Sequence, residues 1–108
     1  IDFTKSAFEV HNKIRGLNPW PSCYTGLQGK MLKIWDADIV DAGQQAAEQI
    51  EKGRCGQIVL IDKNRLWIQT GDGCLSVKSL QLAGKKRMNI ADFLRGMQID
   101  CGTILACD

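Results

Sequence analysis

Residues 74–82 read Cys-Leu-Ser-Val-Lys-Ser-Leu-Gln-Leu, with Leu75 and Val77 on one parity and Leu80 and Leu82 on the other. Successive side chains of a strand point to opposite faces, so an apolar set that changes parity cannot stay on one face of a regular strand. Turn residues flank the segment, Gly71-Asp72-Gly73 before it and Ala83-Gly84 after it, which marks it as a strand. A bulge or sharp bend is therefore predicted near Lys78-Ser79, where one extra residue would return Leu80 and Leu82 to the core face. Small sheets use such bends to curl into barrels.

The rest of the chain supplies partners for that strand. Cys23 to Leu27 can pair with Lys30 to Asp36 across Gln28-Gly29, and Gln57 to Asp62 with Arg65 to Thr70 across Lys63-Asn64. About five strands joined mostly by hairpins predict a mainly β fold of the α+β kind. The expected architecture is a small open antiparallel barrel of five to six strands, with an N-terminal helix and a short C-terminal helix.

Ser6-Ala7-Phe8-Glu9 has the spacing of a capping box and predicts a helix over 7–17. Ala7, Val10, His11, Ile14 and Leu17 fall within one arc of it, with Lys13 and Arg15 flanking on opposite sides. Asn18-Pro19-Trp20-Pro21 must leave as an extended turn, since each proline disfavours helix in the residue before it; Trp20 is expected to anchor that turn. Asn89, with Asp92 three residues on, is the expected cap of a second helix ending at Gly96, its apolar face formed by Ile90, Phe93, Leu94 and Met97. Residues 41–52 read equally as a short helix or an acidic loop, and 103–107 as an edge strand or a fraying end.

With 108 residues the chain is expected to form a single domain, 1–108, large enough for a core without metal or disulfide. It begins Ile1-Asp2-Phe3 without an initiator Met and has no long apolar run, so a piece of a longer protein with no membrane span is expected. The five cysteines, at 23, 55, 74, 101 and 107, are odd in number and lack the spacing of a metal knuckle. Free thiols in a reducing, cytoplasmic setting are the expectation.

Nothing in the sequence forms catalytic machinery. His11, the one histidine, lies on the apolar arc of the first helix, where a core role is expected. Gly71-x-Gly73-x-x-Ser76 resembles a fragment of a dinucleotide loop, but it leads into a strand rather than a helix, so it is a hairpin turn. No metal ligand set is expected.

Net charge is only +2, yet it is unevenly spread. Asp36, Asp38, Asp41, Glu48 and Glu51 occupy one stretch with no cation, leaving the flanking segments basic. Lys13 and Arg15 on the first helix, Lys30 and Lys33 on a strand, and Lys85, Lys86 and Arg87 before the second helix are candidate phosphate ligands. A charge run such as 85–87 can equally be a solvated turn, and composition leaves both readings open. The sparse aromatics read mostly as core, so a backbone-reading mode without base stacking is the version expected. Cations at a helix start are mildly unfavourable, unless they and the helix N–H groups share one phosphate.

The strings HNKIRGLNPWP at 11–21, LKIWDAD at 32–38, TGDGCLSVKSLQLAGKKRM at 70–88 and FLRG at 93–96 resemble, in order and spacing, the C-terminal domain of methionyl-tRNA formyltransferase. Similar domains occur in 10-formyltetrahydrofolate dehydrogenase and in the formyltransferase that modifies aminoarabinose. The resemblance implies an open barrel like the OB-fold, linked to an absent N-terminal Rossmann-like domain that carries the catalytic Asn, His and Asp and binds 10-formyltetrahydrofolate. His11 belongs to the HN-x-IR block and is not that catalytic histidine. Ser22-Cys23 stands where many relatives carry Gly-Ala, and the acidic stretch 36–51 lies where the family varies.

The function so implied is to hold initiator methionyl-tRNA by backbone contacts through Lys13, Arg15, Lys30, Lys33, Lys85, Lys86 and Arg87. The missing domain would transfer the formyl group; this chain alone would be inactive and need no cofactor. Its own catalytic domain is the second partner implied, with Asn18, Pro19, Trp20 and Pro21 as interdomain or structural anchor, and a monomer is expected. The alternative is a packing domain of a formyltransferase acting on folate or a sugar nucleotide, with little affinity for nucleic acid.

Overall fold

A computed structural model of the chain describes residues 3, 5–17, 23–27, 30–40, 43, 53–96, 99 and 101–105; the side chains of 13, 15–17, 23 and 24 lie outside that description. Helix α1 (Ala7–Leu17) starts at the capping sequence. The Glu9 N–H donates to Ser6 Oγ at 3.2 Å, and the first helical bond runs from the Val10 N–H to the Ser6 carbonyl at 3.0 Å. The Glu9 carboxylate meets the cap hydroxyl at 3.5 Å, a variation on the full box, in which it would reach the Ser6 backbone. Ala7, Val10 and Ile14 are buried, and His11 is half-buried on their flank.

Among the described residues six strands follow: β1 (Cys23–Leu27), β2 (Lys30–Val40), β3 (Ile58–Ile61), β4 (Leu66–Gln69), β5 (Cys74–Leu82) and β6 (Met88–Asn89), then helix α2 (Ile90–Gly96). Every pairing between them is antiparallel, in the order β1-β2-β5-β4-β3, with β6 added on β5. The result is the expected mainly β architecture, a curled open sheet with one helix at each end of the sequence. Strand β5 organises it. One edge pairs with β2, and the other is shared between β4, at Cys74 to Ser76, and β6, at Ser79 and Leu80.

The bulge expected near Lys78-Ser79 is present, and it has a counterpart. Between β2 and β5 the register runs Ile34↔Leu80, Asp36↔Ser79, Ala37↔Val77, so Trp35 is the extra residue on β2 and Lys78 the extra residue on β5. The inward parity therefore switches on both strands together. Leu32 and Ile34 point inward before the step and Ala37 after it; on β5, Leu75 and Val77 point inward on one side and Leu80 and Leu82 on the other. β2 consequently runs on to Val40, four residues past the end expected at Asp36, because Asp36 and Asp38 face outward and leave the core face apolar.

The core joins that face to Phe3, to Val10 and Ile14 of α1, to Ile90 and Phe93 of α2, and to Ile99 and Leu105. A void inside it, lined by residues such as Leu27, Ile68, Val77 and Phe93, measures about 10 Å³, no more than one water requires. The closing segment is tied to β3 by Ile58 N–H to the Thr103 carbonyl and Leu105 N–H to the Gly56 carbonyl, both 2.8 Å, a single bridge rather than a full edge strand. On the opposite face Val40, Trp67 and Cys74 form a smaller buried cluster.

Gly71-Asp72-Gly73 is a turn between two strands, as expected, and also the dock for α1. Gly71 N–H donates to the Lys5 carbonyl and Ala7 N–H to the Asp72 carbonyl, each at 2.9 Å. Gln69, 1 % exposed, holds this turn from below: its Nε2 donates to the Thr70 and Gly73 carbonyls at 2.9 and 3.0 Å, and its Oε1 accepts the Gly53 N–H at 3.3 Å. Cys55, Cys74 and Cys101 are free thiols. No described helix is long and apolar enough to cross a membrane, and no described group of His, Cys, Asp or Glu could hold a metal. Residues 41–42 and 44–52, and the segment Asn18, Pro19, Trp20 and Pro21, lie outside the described residues.

Candidate nucleic-acid interface

On the outward face of the β2–β5 ladder, alternation places Met31 and Lys33 on one strand opposite Ala83 and Gln81 on the other, with Trp35, the extra residue of the bulge, next along β2 and Ser79 next along β5. The pairing Lys33↔Gln81 and the Ala83 N–H to Met31 carbonyl bond at 2.9 Å fix that register. The chain then turns at Leu82-Ala83-Gly84-Lys85, closed by Lys85 N–H to the Leu82 carbonyl at 2.9 Å, with Gly84 at φ +80. Positive φ at the third position is what a type II turn requires, and it explains the glycine before the basic run. The turn starts beside the Lys30 end of β2 and carries the chain back along β5, so that Arg87 reaches Trp35 and Ser79.

Lys30, Lys85, Lys86 and Arg87 are exposed and Lys33 is half-buried. Among the described residues none of these five is held by a carboxylate. Lys78 is different. It pairs with Asp38 at 2.7 Å, and that carboxylate, with Asp36 nearby, raises the lysine pKa above its ordinary value. Arg65 is likewise engaged by Asp62 at 2.8 Å and Arg95 by Asp92. The five cations are thus the described ones that gather at one end of the sheet without ion pairs. Lys13 and Arg15 lie on α1, with side chains outside the description.

Trp35 stands among these cations, and sequence reasoning missed it. Lys33 Nζ lies 3.3 Å from its ring centroid and the Arg87 guanidinium carbon 4.7 Å from it. The indole N–H donates to Gln81 Oε1 at 3.1 Å, while Gln81 Nε2 donates to the Lys85 carbonyl at 2.9 Å. Arg87 also reaches Ser79 Oγ at 3.5 Å. The signal was available: Lys33 and Trp35 are two apart on a strand and so share a face.

Arg87 therefore rests against the β2–β5 face. The two residues of β6 intervene between the basic run and the helix, and Asn89 Oδ1 accepts the Asp92 N–H at 2.8 Å, so the helix cap is filled internally. Beside the cations, Met31, Lys33, Gln81, Leu82 and Ala83 line an open groove of about 220 Å³.

Comparison with known proteins places these features in a family. A family model described as formyl transferase, C-terminal domain, matches residues 1–98. The chain is 50 % identical over 105 residues to a methionyl-tRNA formyltransferase of Lachnospira eligens, covering 97 % of this chain and 33 % of that protein. It is 48 % identical over 103 residues to the same-named protein of Agathobacter rectalis, covering 95 % and 31 %. The chain thus spans about a third of the length of the curated relatives it matches. Among solved structures, HypX from Aquifex aeolicus, an engineered variant, superposes with a TM-score of 0.65 over 94 % of this chain and 18 % of that one; at 18 % identity the likeness concerns the fold alone. With the family model spanning most of its length, the chain belongs to the formyl transferase C-terminal domain family.

Proposed function

We propose that this chain is the tRNA-holding domain of a methionyl-tRNA formyltransferase. It grips the backbone of initiator methionyl-tRNA, while an N-terminal catalytic domain outside the 108 residues transfers formyl from 10-formyltetrahydrofolate. In this reading the chain is a single, monomeric, cytoplasmic domain that carries no catalytic residue and no cofactor, and its curled sheet serves as an OB-like binding platform. Lys30, Lys33, Lys85, Lys86 and Arg87 contact phosphates, with Lys13 and Arg15 extending the basic surface along α1 and Asn18 to Pro21 facing the catalytic domain.

One observation carries the proposal: five cations from two separate segments lie toward one end of the sheet with no described carboxylate to neutralise them, whereas Lys78, Arg65 and Arg95 are paired. Cations so placed suit a polyanion lying across the surface. The names carried by the relatives point to which polyanion it is.

The salt dependence of binding tests it. Each neutralised phosphate adds roughly 0.7 to 0.9 to the slope of log affinity against log salt, so the triple change Lys85→Ala, Lys86→Ala, Arg87→Ala should flatten the slope by about 2 or more in a titration with unfractionated tRNA. An unchanged slope overturns the assignment of that turn. Phe8, 62 % exposed on α1, favours a second reading, in which the domain chiefly packs against the rest of a formyltransferase. Under that reading the slope does not respond to the triple change.

A further inference from the structure

We infer that Trp35 is a positioning residue that builds Lys33 and Arg87 into one preformed seat for a single RNA phosphodiester. The inference rests on the proposed tRNA-holding role and goes beyond it by assigning a specific site and the residue that makes it.

Two cations from distant parts of a chain repel each other and hold their side chains in one place only at an entropic cost. Here a single indole engages both. Lys33 Nζ sits 3.3 Å and the Arg87 guanidinium 4.7 Å from the ring centroid, within the range where the ring's negative face attracts cations. The ring is itself fixed. Trp35 is the extra residue of the β2 bulge, a device that re-aims a side chain, and its N–H is held by Gln81. The other end of the Gln81 amide holds the Lys85 carbonyl, so one side chain ties the indole to the loop that delivers Arg87. Ser79 Oγ, 3.5 Å from Arg87, adds a second restraint.

The seat is open to a ligand. Arg87 is exposed and Lys33 half-buried, and no described carboxylate pairs with either. Asp36 and Asp38 lie just beyond Trp35 on β2, the latter bound to Lys78, and they limit the positive field on that side. The remaining approach is from the Met31 side, where the groove of about 220 Å³ leaves room for the sugar and base attached to a bound phosphate. A charged pair already in place loses less on binding than two free side chains would.

The test is a double-mutant cycle on the 108-residue chain, titrated with unfractionated tRNA at several salt concentrations. Trp35→Leu leaves the formal charge unchanged, yet should weaken binding about three- to tenfold, the equivalent of losing one or two cation–π contacts. In a Lys33→Gln, Arg87→Gln background the same substitution should change affinity by less than about twofold, because there is no pair left to position. Trp35→Phe, which keeps an aromatic face but not the Gln81 bond, should fall between the two. If Trp35→Leu fails to fold, by circular dichroism and cooperative melting, Trp35→Phe carries the cycle alone. A Trp35 effect of equal size in both backgrounds overturns the inference, since the ring would then touch RNA itself or act through the fold. Tight binding by Trp35→Leu overturns it as well. If the tRNA affinity responds to Lys85, Lys86 and Arg87 but the cycle shows no coupling, only the seat is lost. If none of these cations matters, the tRNA-holding role falls with it.

Discussion

Replacing Gln69 by Leu should destabilise the fold sharply although the two side chains are close in size. Gln69 is 1 % exposed in a strand whose four residues are all buried. Its amide satisfies the Gly53 N–H and the Thr70 and Gly73 carbonyls. The Gly73 carbonyl keeps other donors, the Thr70 N–H at 3.1 Å and Thr70 Oγ1 at 2.8 Å, so the substitution strands chiefly the Gly53 donor and the Thr70 acceptor. At about 2 kcal/mol for each stranded group the two cost about 4, against which burying the extra apolar carbon of Leu returns about 1 to 2, leaving a net loss of about 2 to 3 kcal/mol. Urea unfolding at neutral pH reads this directly. With a slope of roughly 1 to 1.5 kcal/mol per molar, the midpoint should fall by about 1.3 to 3 M. Gln69→Glu adds a signature that packing cannot imitate. Burial among carbonyls raises the folded-state pKa of such a Glu above its unfolded value of about 4.3, so the loss of stability should be small at pH 4 and grow as pH rises. A Gln69→Leu midpoint within about 0.3 M of the parent would refute the hydrogen-bond accounting, as would a Gln69→Glu penalty that does not depend on pH.

Asp38→Asn releases Lys78 from its 2.7 Å partner and removes a negative charge from the face that carries Trp35. On the proposed tRNA-holding role, binding should tighten, with a salt slope steeper by roughly 0.7 to 0.9 if Lys78 then meets a phosphate, while the melting temperature barely moves because the pair is exposed; weaker binding would contradict the proposed placement of the interface. Burial pushes the Cys74 thiol up to about 11. In a variant that keeps Cys74 as its only cysteine, reaction with a thiol reagent at pH 8 should be at least about a hundredfold slower than in urea, and equal rates would show that the Val40–Trp67–Cys74 cluster is open.

Much of this fold is legible along the sequence because local rules govern it. Turn residues bound β1 and β5 where the structure has them, and the parity change in β5 marks its bulge. The start of α1 follows from Ser6 and Glu9 alone. What escapes local reading depends on pairing across the sheet. β6 is only two residues, Met88 and Asn89, too short to carry a strand signal of its own; they pair on the part of β5 that β4 leaves unoccupied. The last four residues of β2 hide behind Asp36 and Asp38, which look like turn residues until the outward face is known. The candidate site divides in the same way. The cations are visible as charge, but the association of Lys33 with Arg87 needs the cross-strand register that brings Gln81 opposite Lys33 and the 85–87 loop back over Trp35.

The two opposed bulges work as a dislocation that heals itself. From Ile34 to Ala37 is three residues on β2, and from Leu80 to Val77 is three on β5, so the ladder regains its original register immediately beyond the step. The fault rotates the apolar faces of both strands together without sliding one strand along the other. A single-residue deletion in either strand alone leaves a slip that must spread to a hairpin, β1–β2 at one end or β4–β5 at the other, and turns leucines or charges to the wrong face on the way. Deletions matched on both strands cancel. Length variation among relatives in this part of the sheet should therefore come in pairs, one change on each strand, and Trp35 should be lost only together with the residue at position 78.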